Sequence, residues 1–266
     1  MMITVFTPTY NREQTLRRLY KSLKNQTVKN FEWIVVDDGS SDGTEKLIKE
    51  FIDEDEIPIL YKRVKNGGKM RAINIGVSLA EKEFFFIVDS DDYLSEKAME
   101  TIEEEIVTLP DDYAGIVFRK VEVFDNGESV RKNETFGGAQ IDSNPLDIFY
   151  NKKILGDKAE IVKTSIMREY PFPEIENEKF IPEGYIWNQI GENYIFRYID
   201  KGIYYYQYLD DGYTRKFNEI IKNNPKGLKL YYQYMLRKKI PIKNKVKFLI
   251  RFFQSMYYDW KKEKEN

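Results

Sequence analysis

The sequence predicts an α/β domain in which a parallel sheet is wound by helices, and three observations carry that expectation. Short apolar runs alternate with helical periodicity over the first ninety or so residues, the order that a parallel sheet requires. One of these runs, Phe84-Phe85-Phe86-Ile87-Val88, is continuously apolar, as suits a strand covered on both faces. It leads directly into Asp89-Ser90-Asp91-Asp92, and the carboxyl ends of strands are where open α/β sheets bind ligands.

Taken in order, residues 3–6 form a β-prone run ended by Thr7-Pro8-Thr9-Tyr10-Asn11, and Leu16, Leu19, Tyr20 and Leu23 then recur at helical spacing. Asn11 or Thr9 is placed to cap that helix, and Asn25-Gln26-Thr27 to end it. Residues 31–36 are the second strand and 37–43 a loop, and Leu47, Ile48, Phe51 and Ile52 mark the next helix. A third strand at 57–62 leads through Asn66-Gly67-Gly68-Lys69 into a helix bearing Ile73, Val77 and Ala80. The strand at 84–88 follows. If Asp89 and Asp91 continue it, their spacing of two turns both side chains to one side.

Beyond Met99, Ile102, Ile106 and Leu109, a helical face, the alternation breaks. Residues 115–124 read as a long strand, and Asp125-Asn126-Gly127-Glu128 as a hairpin turn, so an antiparallel or mixed element is expected to join the sheet. Residues 160–164 and 204–208 read as strands and 185–192 as a short helix.

Composition excludes whole classes of chemistry. The 266-residue chain has no cysteine and no histidine, which removes disulfides, thiolate or imidazole metal sites, cysteine nucleophiles and Ser-His-Asp triads. A metal would have oxygen ligands, and the natural general base is Asp or Glu. The amino terminus does not read as a secretory signal and no apolar run has the length of a membrane span, so the expected location is the cytoplasm.

Net charge is only −2, but residues 215–266 hold 15 Lys and Arg against 4 Asp and Glu. This basic segment contains an apolar stripe of Ile242, Val246, Leu249, Ile250, Phe253 and Tyr257. Two readings stand: an interfacial helix resting on an anionic membrane surface, or a helix packed on the body with lysine stems covering apolar area.

Individually, the polar loops have ordinary explanations. Asp89-Ser90-Asp91 is also what a turn or helix start looks like, and Asp37-Asp38-Gly39-Ser40-Ser41-Asp42-Gly43-Thr44 can be a turn with Thr44 as helix cap. Gly67-Gly68 lacks the spacing of a phosphate loop. A phosphatase of the haloacid dehalogenase type also places D-x-D after an apolar strand, although Tyr93 stands where Thr or Val is expected.

Together the motifs carry a family resemblance. Thr7-Pro8-Thr9-Tyr10-Asn11-Arg12, then Val35-Val36-Asp37-Asp38-Gly39-Ser40-Ser41-Asp42-Gly43-Thr44, then Asn66-Gly67-Gly68-Lys69, then Val88-Asp89-Ser90-Asp91-Asp92 resemble the GT-A glycosyltransferases of family 2 in order and spacing. The likeness extends more loosely through Pro182-Glu183-Gly184 to Asp211-Gly212-Tyr213-Thr214. It implies a mixed sheet flanked by helices, with a GT-A domain at 1–214 and a basic helical tail at 215–266. Within that domain, 1–125 would bind the donor and 126–214 the acceptor.

The resemblance further implies an inverting transferase that uses a nucleotide-sugar, most often a UDP-sugar, with Mn²⁺ or Mg²⁺. On that basis Tyr10 would stack on the base, Asp38 would accept a hydrogen bond from its ring nitrogen, and Thr7 and Pro8 would shape the pocket. Lys69 or Arg71 would approach the base or diphosphate. Asp89 and Ser90 would lie along the donor, with Asp91, and Asp89 if turned that way, on the metal. Glu183 would be the base; Gly184 stands at the second acidic position of the family motif, and Asp157 is a reserve candidate. The acceptor would be a saccharide or lipid-linked saccharide, as in bacterial surface polysaccharide synthesis, with no nucleic acid partner. By its charge excess and apolar stripe, the tail would rest on the inner face of the cell membrane. A catalytically silent sugar-nucleotide binding module is the other reading of the same motifs.

Overall fold

A computed structural model describes residues 2–124, 135–137, 140–207 and 217–265. The turn expected at 125–128 and the motif at 211–214 lie outside the described residues. The first half alternates strand and helix: β1 (Ile3–Thr9), α1 (Glu13–Lys24), β2 (Phe31–Asp37), α2 (Thr44–Glu54), β3 (Ile59–Arg63), α3 (Lys69–Leu79) and β4 (Phe84–Ile87). The chain continues through β5 (Tyr93–Leu94), α4 (Ala98–Ile106), β6 (Tyr113–Glu122), β7 (Ile141–Ser143), α5 (Pro145–Tyr150), β8 (Lys158–Lys163) and α6 (Thr164–Glu169). Then follow α7 (Gly184–Asn193), β9 (Ile195–Tyr206), α8 (Phe217–Asn223), α9 (Pro225–Leu236) and α10 (Ile242–Glu265).

Among the described residues the strands form one sheet in the order β3-β2-β1-β4-β8-β6-β9-β5, with β7 on β9. The β3-β2-β1-β4 half is parallel. Beyond it β8 runs antiparallel to both β4 and β6, which is the mixed element expected where the alternation broke down.

Successive residues of β4 serve opposite faces. Phe84 and Phe86 join the cluster under α1, α2 and α4, whereas Phe85 joins the cluster under α3, α6 and α7. A strand with no polar face follows directly from being covered on both sides. The loops after β1, β2 and β4 therefore open at the same carboxyl edge, beside the point where the sheet changes direction.

Several local expectations are corrected. Helix α1 has Arg12 at its N-cap without a side-chain cap. Asn11 instead adopts a φ of 52° and accepts a hydrogen bond from the Ser41 backbone N–H, so its amide ties two loops together. The α2 N-cap is Gly43, with Thr44 as the first helical residue. The chain does not stay extended past β4: the Asp92 N–H donates to the Asp89 carbonyl at 3.1 Å and closes a turn over Ser90 and Asp91. The two-residue spacing therefore does not set the relative direction of Asp89 and Asp91. The last strand starts at Ile195, nine residues earlier than read, and α5, α6, β5 and β7 are additional elements.

Candidate active site

Two clusters lie along the carboxyl edge of the sheet. At one, Tyr10 projects from the end of β1 and is 49% exposed, leaving its ring free to meet a planar partner. The Asp38 N–H bonds the Thr9 carbonyl, fixing the β2 loop beside Tyr10. The Asp38 carboxylate accepts from the Gly67 N–H at 2.6 Å and the Gly68 N–H at 2.8 Å. Burial pushes the Asp38 carboxyl above its ordinary value, and those two N–H groups act against the rise.

Gly68 is obligatory here. Its φ is +95°, and a Cβ would lie 2.2 Å from the Lys179 carbonyl oxygen. The Arg71 stem lies against Gly67, while its guanidinium reaches Glu174 at 3.6 Å on the surface. Arg71 thus flanks the Asp38 cluster. Neighbouring Thr7 and Pro8 are buried within β1, where the Thr7 hydroxyl accepts from the Trp33 indole N–H at 2.9 Å.

At the other cluster, Lys69 begins α3 and its ammonium joins two acids: Asp89 Oδ1 at 2.6 Å and Glu183 Oε1 at 2.7 Å. Burial alone would pull the Lys69 ammonium down, but the Asp89 and Glu183 charges outweigh it and hold it well above its usual value. A second ammonium, Lys120 from β6, stands 3.9 Å from Asp89 Oδ2 and 4.0 Å from Asp92 Oδ2, over the Tyr204 ring. Burial raises the Asp89 carboxyl and the two lysines more than reverse it, so Asp89 stays ionised.

Asp92 is different. Burial, together with the charges of Asp89 and Asp91 and against that of Lys120, lifts it to about 7, and it accepts from the Tyr204 hydroxyl at 2.6 Å. The same hydroxyl accepts from the Asp89 N–H at 2.9 Å, so Tyr204 fixes the turn from β9 of the same sheet.

Ser90 is buried at the crest of this turn. The Asp91 carboxyl is raised by burial and by the negative charge of Asp89, with Arg12 acting in the opposite direction. A group in that state gains from a cation, and its oxygen donor suits a hard divalent ion. Among the described residues no three acidic side chains converge into a metal cage. Asp91 therefore fits the kind of site in which one or two carboxylates and substrate phosphates share the ion.

A cleft of about 810 Å³ opens beside the second cluster, with Lys69, Asp89, Lys120, Glu160 and Glu183 in its wall. Tyr231 of α9 and Phe248 of α10 line it too, so the carboxyl-terminal helices contribute to its boundary. Asp157, the reserve acid, also lies in the lining. Glu183 sits at the N-cap of α7, where the helix dipole favours a negative charge. A Cβ on Gly184 would meet nothing closer than the Tyr231 hydroxyl at 3.7 Å, so packing does not demand glycine there.

Sequence reasoning missed Lys120, Glu160 and the anchoring role of Tyr204. The available signal was a charged residue within an apolar strand, Lys120 in YAGIVFRKVE and Glu160 in KAEIVK.

Comparison with known proteins identifies the family and the fold. Glycosyltransferase GlyA of Streptococcus pneumoniae is 39% identical over 112 residues, 42% of this chain and 16% of that protein. The poly(ribitol-phosphate) beta-N-acetylglucosaminyltransferase TarS of Staphylococcus aureus is 26% identical over 215 residues, 77% of this chain and 35% of that protein. The matched stretches thus span well under two thirds of these relatives' own lengths. The crystal structure of TarS 1–349 in complex with UDP-GlcNAc superposes with a TM-score of 0.71 at 22% identity, covering 97% of this chain and 73% of that one, which shows a shared GT-A fold. The family model described as glycosyl transferase family 2 matches residues 4–169, well over half of the sequence and including all four motifs between Thr7 and Asp92. The chain belongs to glycosyl transferase family 2.

Proposed function

We propose that the protein transfers a sugar from a nucleotide-sugar, with UDP as the nucleotide, to a saccharide or lipid-linked saccharide acceptor in cell-surface polysaccharide synthesis. The observation that carries this reading is the Lys69 ammonium, which joins Asp89 beside the donor motif to Glu183 in the acceptor-side motif within 2.7 Å. Relatives lend the substrate classes: one solved TarS structure holds UDP-GlcNAc, and a Campylobacter jejuni relative is named for an undecaprenol-linked acceptor.

In this reading Tyr10 stacks on the base, Asp38 accepts from its ring N–H, and Arg71 flanks that end. Thr7 and Pro8 support the pocket floor from β1. The ribose and diphosphate run past Asp89 and Ser90 toward Lys69. Asp91 would hold Mn²⁺ or Mg²⁺, which when bound supplies positive charge against the departing diphosphate.

The acceptor hydroxyl oxygen forms a bond to the anomeric carbon as the bond from that carbon to the diphosphate oxygen breaks. The leaving nucleotide takes the electron pair, and attack from the opposite face inverts the centre. Glu183 receives the hydroxyl proton, and the Lys69 ammonium at 2.7 Å holds that carboxylate in place.

Calorimetry with UDP and GDP, with and without Mn²⁺, tests the donor assignment. UDP is expected to bind, and more tightly with the metal; binding of neither nucleotide would defeat the reading. Glu183→Gln should keep UDP affinity while UDP release from UDP-sugars falls by roughly 10²-fold or more. Full turnover in that variant would move the base elsewhere. UDP affinity in a wild-type protein that acts on no donor would indicate a binding module.

A further inference from the structure

Helix α10 has two apolar faces, and among the described residues only one of them is packed against the body. Phe248, Phe252 and Tyr258 pack against Leu228 and Tyr232 of α9. On the opposite side Val246, Leu249, Ile250, Phe253, Tyr257 and Trp260 recur at helical spacing and are 43–63% exposed. The helix thus packs on the body and, among the described residues, still presents an uncovered apolar stripe about four turns long from Val246 to Trp260.

Charge indicates what meets that stripe. Between residues 220 and 258 the chain has ten Lys and Arg and no acidic residue. At 100° per residue, Lys243, Lys247 and Lys261 border one edge of the stripe and Lys245 the other. A second copy of the chain meeting this face across a twofold axis would bring these lysine rows close together, which opposes association. An anionic lipid surface takes up the apolar residues and attracts the lysines at once. Tyr257 and Trp260 are the residue types that favour the headgroup level.

We propose that α10 is an interfacial helix that docks the protein on an anionic bilayer. Asn244 and Phe248, at the start of the same helix, line the cleft that holds Glu183. Docking would therefore hold the cleft close to the headgroups, where a lipid-linked saccharide presents its sugar. This last step, the class of acceptor, rests on the transferase reading above.

The test is co-sedimentation of the whole chain with phosphatidylcholine vesicles, with and without phosphatidylglycerol. Wild type should sediment with the anionic vesicles and be partly released by salt. The pair Ile250→Glu and Phe253→Glu lies on exposed positions, so it should retain its melting temperature and UDP affinity while vesicle binding falls about tenfold or more. Lys243→Glu with Lys247→Glu should weaken anionic-vesicle binding by about tenfold. Wild type left in the supernatant, or an apolar-face variant sedimenting like wild type, would overturn the proposal. A dimer abolished by that variant, with no vesicle binding, would assign the stripe to a second copy and equally overturn it. Failure of UDP binding in the same preparations would defeat the transferase reading and leave the vesicle result standing.

Discussion

Glu160 illustrates how strongly one residue's position can set its chemistry. It sits in β8 among apolar neighbours and faces the cleft, and burial lifts its carboxyl to about 8, with the Lys120 charge acting against the rise and that of Glu183 adding to it. Between its ordinary value near 4.5 and about 8, the folded protein retains a proton that the unfolded chain has released. Stability on this account is unaffected below pH ~4.5 and declines as pH rises through that window. Glu160→Gln removes the titration. The variant should be more stable than wild type at pH 8, by roughly 1–2 kcal/mol once screening by cleft water is allowed for, and similar at pH 4. Thermal unfolding at both pH values measures it, and parallel pH dependence in the two proteins would place the proton elsewhere. The residue was not legible as a site because a lone acid in a strand also reads as a solvent-facing position. Asp38, Asp89 and Asp91 were legible as candidates because they follow strands, where loops gather. Lys120 and Glu160 come together only because β8 inserts between β4 and β6, a sheet order that no local pattern encodes.

At the scale of the element, α3 has the most to position, since its first residue is Lys69 and its preceding turn holds Asp38. It can approach the sheet closely because Gly76 faces Phe6: a Cβ there would lie 2.1 Å from the ring. Phe6 is fully buried and stacked on Phe85 with centroids 5.1 Å apart, so it has little room to yield. Gly76→Ala gains roughly 1 kcal/mol of helix propensity but incurs about 1–3 kcal/mol of overpacking. The net expectation is a loss of stability in urea denaturation, together with reduced UDP affinity as the N-terminus of α3 is displaced; a stabilised variant would show that the helix can shift freely. The helices and strands up to β4 could be read in advance because each apolar run has one period and a clear ending. The second half resisted for physical reasons. Helices α5 and α6 have six residues each, too few for a 3.6-residue period to repeat, and β5 has two. Strand β9 carries Asp200-Lys201-Gly202 in its interior and shifts register against β6 there, which breaks the alternation expected of a strand.

For the whole molecule, the question is whether the basic helices are an appendage or part of the body. Leu228 and Tyr232 of α9 are buried with Phe180, Phe248 and Phe252, so the cluster spans the segment preceding α7, α9 and α10. Polar contacts follow the same path. Glu178 accepts from the Lys226 and Gly227 N–H groups at the start of α9, both at 2.7 Å, and Asn224 accepts from the Lys179 N–H. Lys229 of α9 pairs with Asp259 of α10, a carboxylate that is 11% exposed. Lys179, anchored in this way, is the residue whose carbonyl packs against Gly68, so the carboxyl-terminal helices reach the Asp38 loop through a single intervening segment. Deleting residues 238–266 would uncover Leu228 and Tyr232 and leave Lys229 without its partner. With three aromatic side chains of α10 lost from the cluster, the truncated chain should be destabilised by roughly 2–5 kcal/mol. UDP should still bind, because Tyr10, Asp38 and Asp91 are held by β1, β2 and the turn after β4 rather than by α10. Turnover should fall further than UDP affinity, since Asn244 and Phe248 are removed from the cleft wall. Melting curves and UDP calorimetry on the truncated protein separate these effects. An unchanged melting temperature would show that α10 is an independent tail, whereas loss of UDP binding along with stability would show that the donor pocket depends on the helices for its shape.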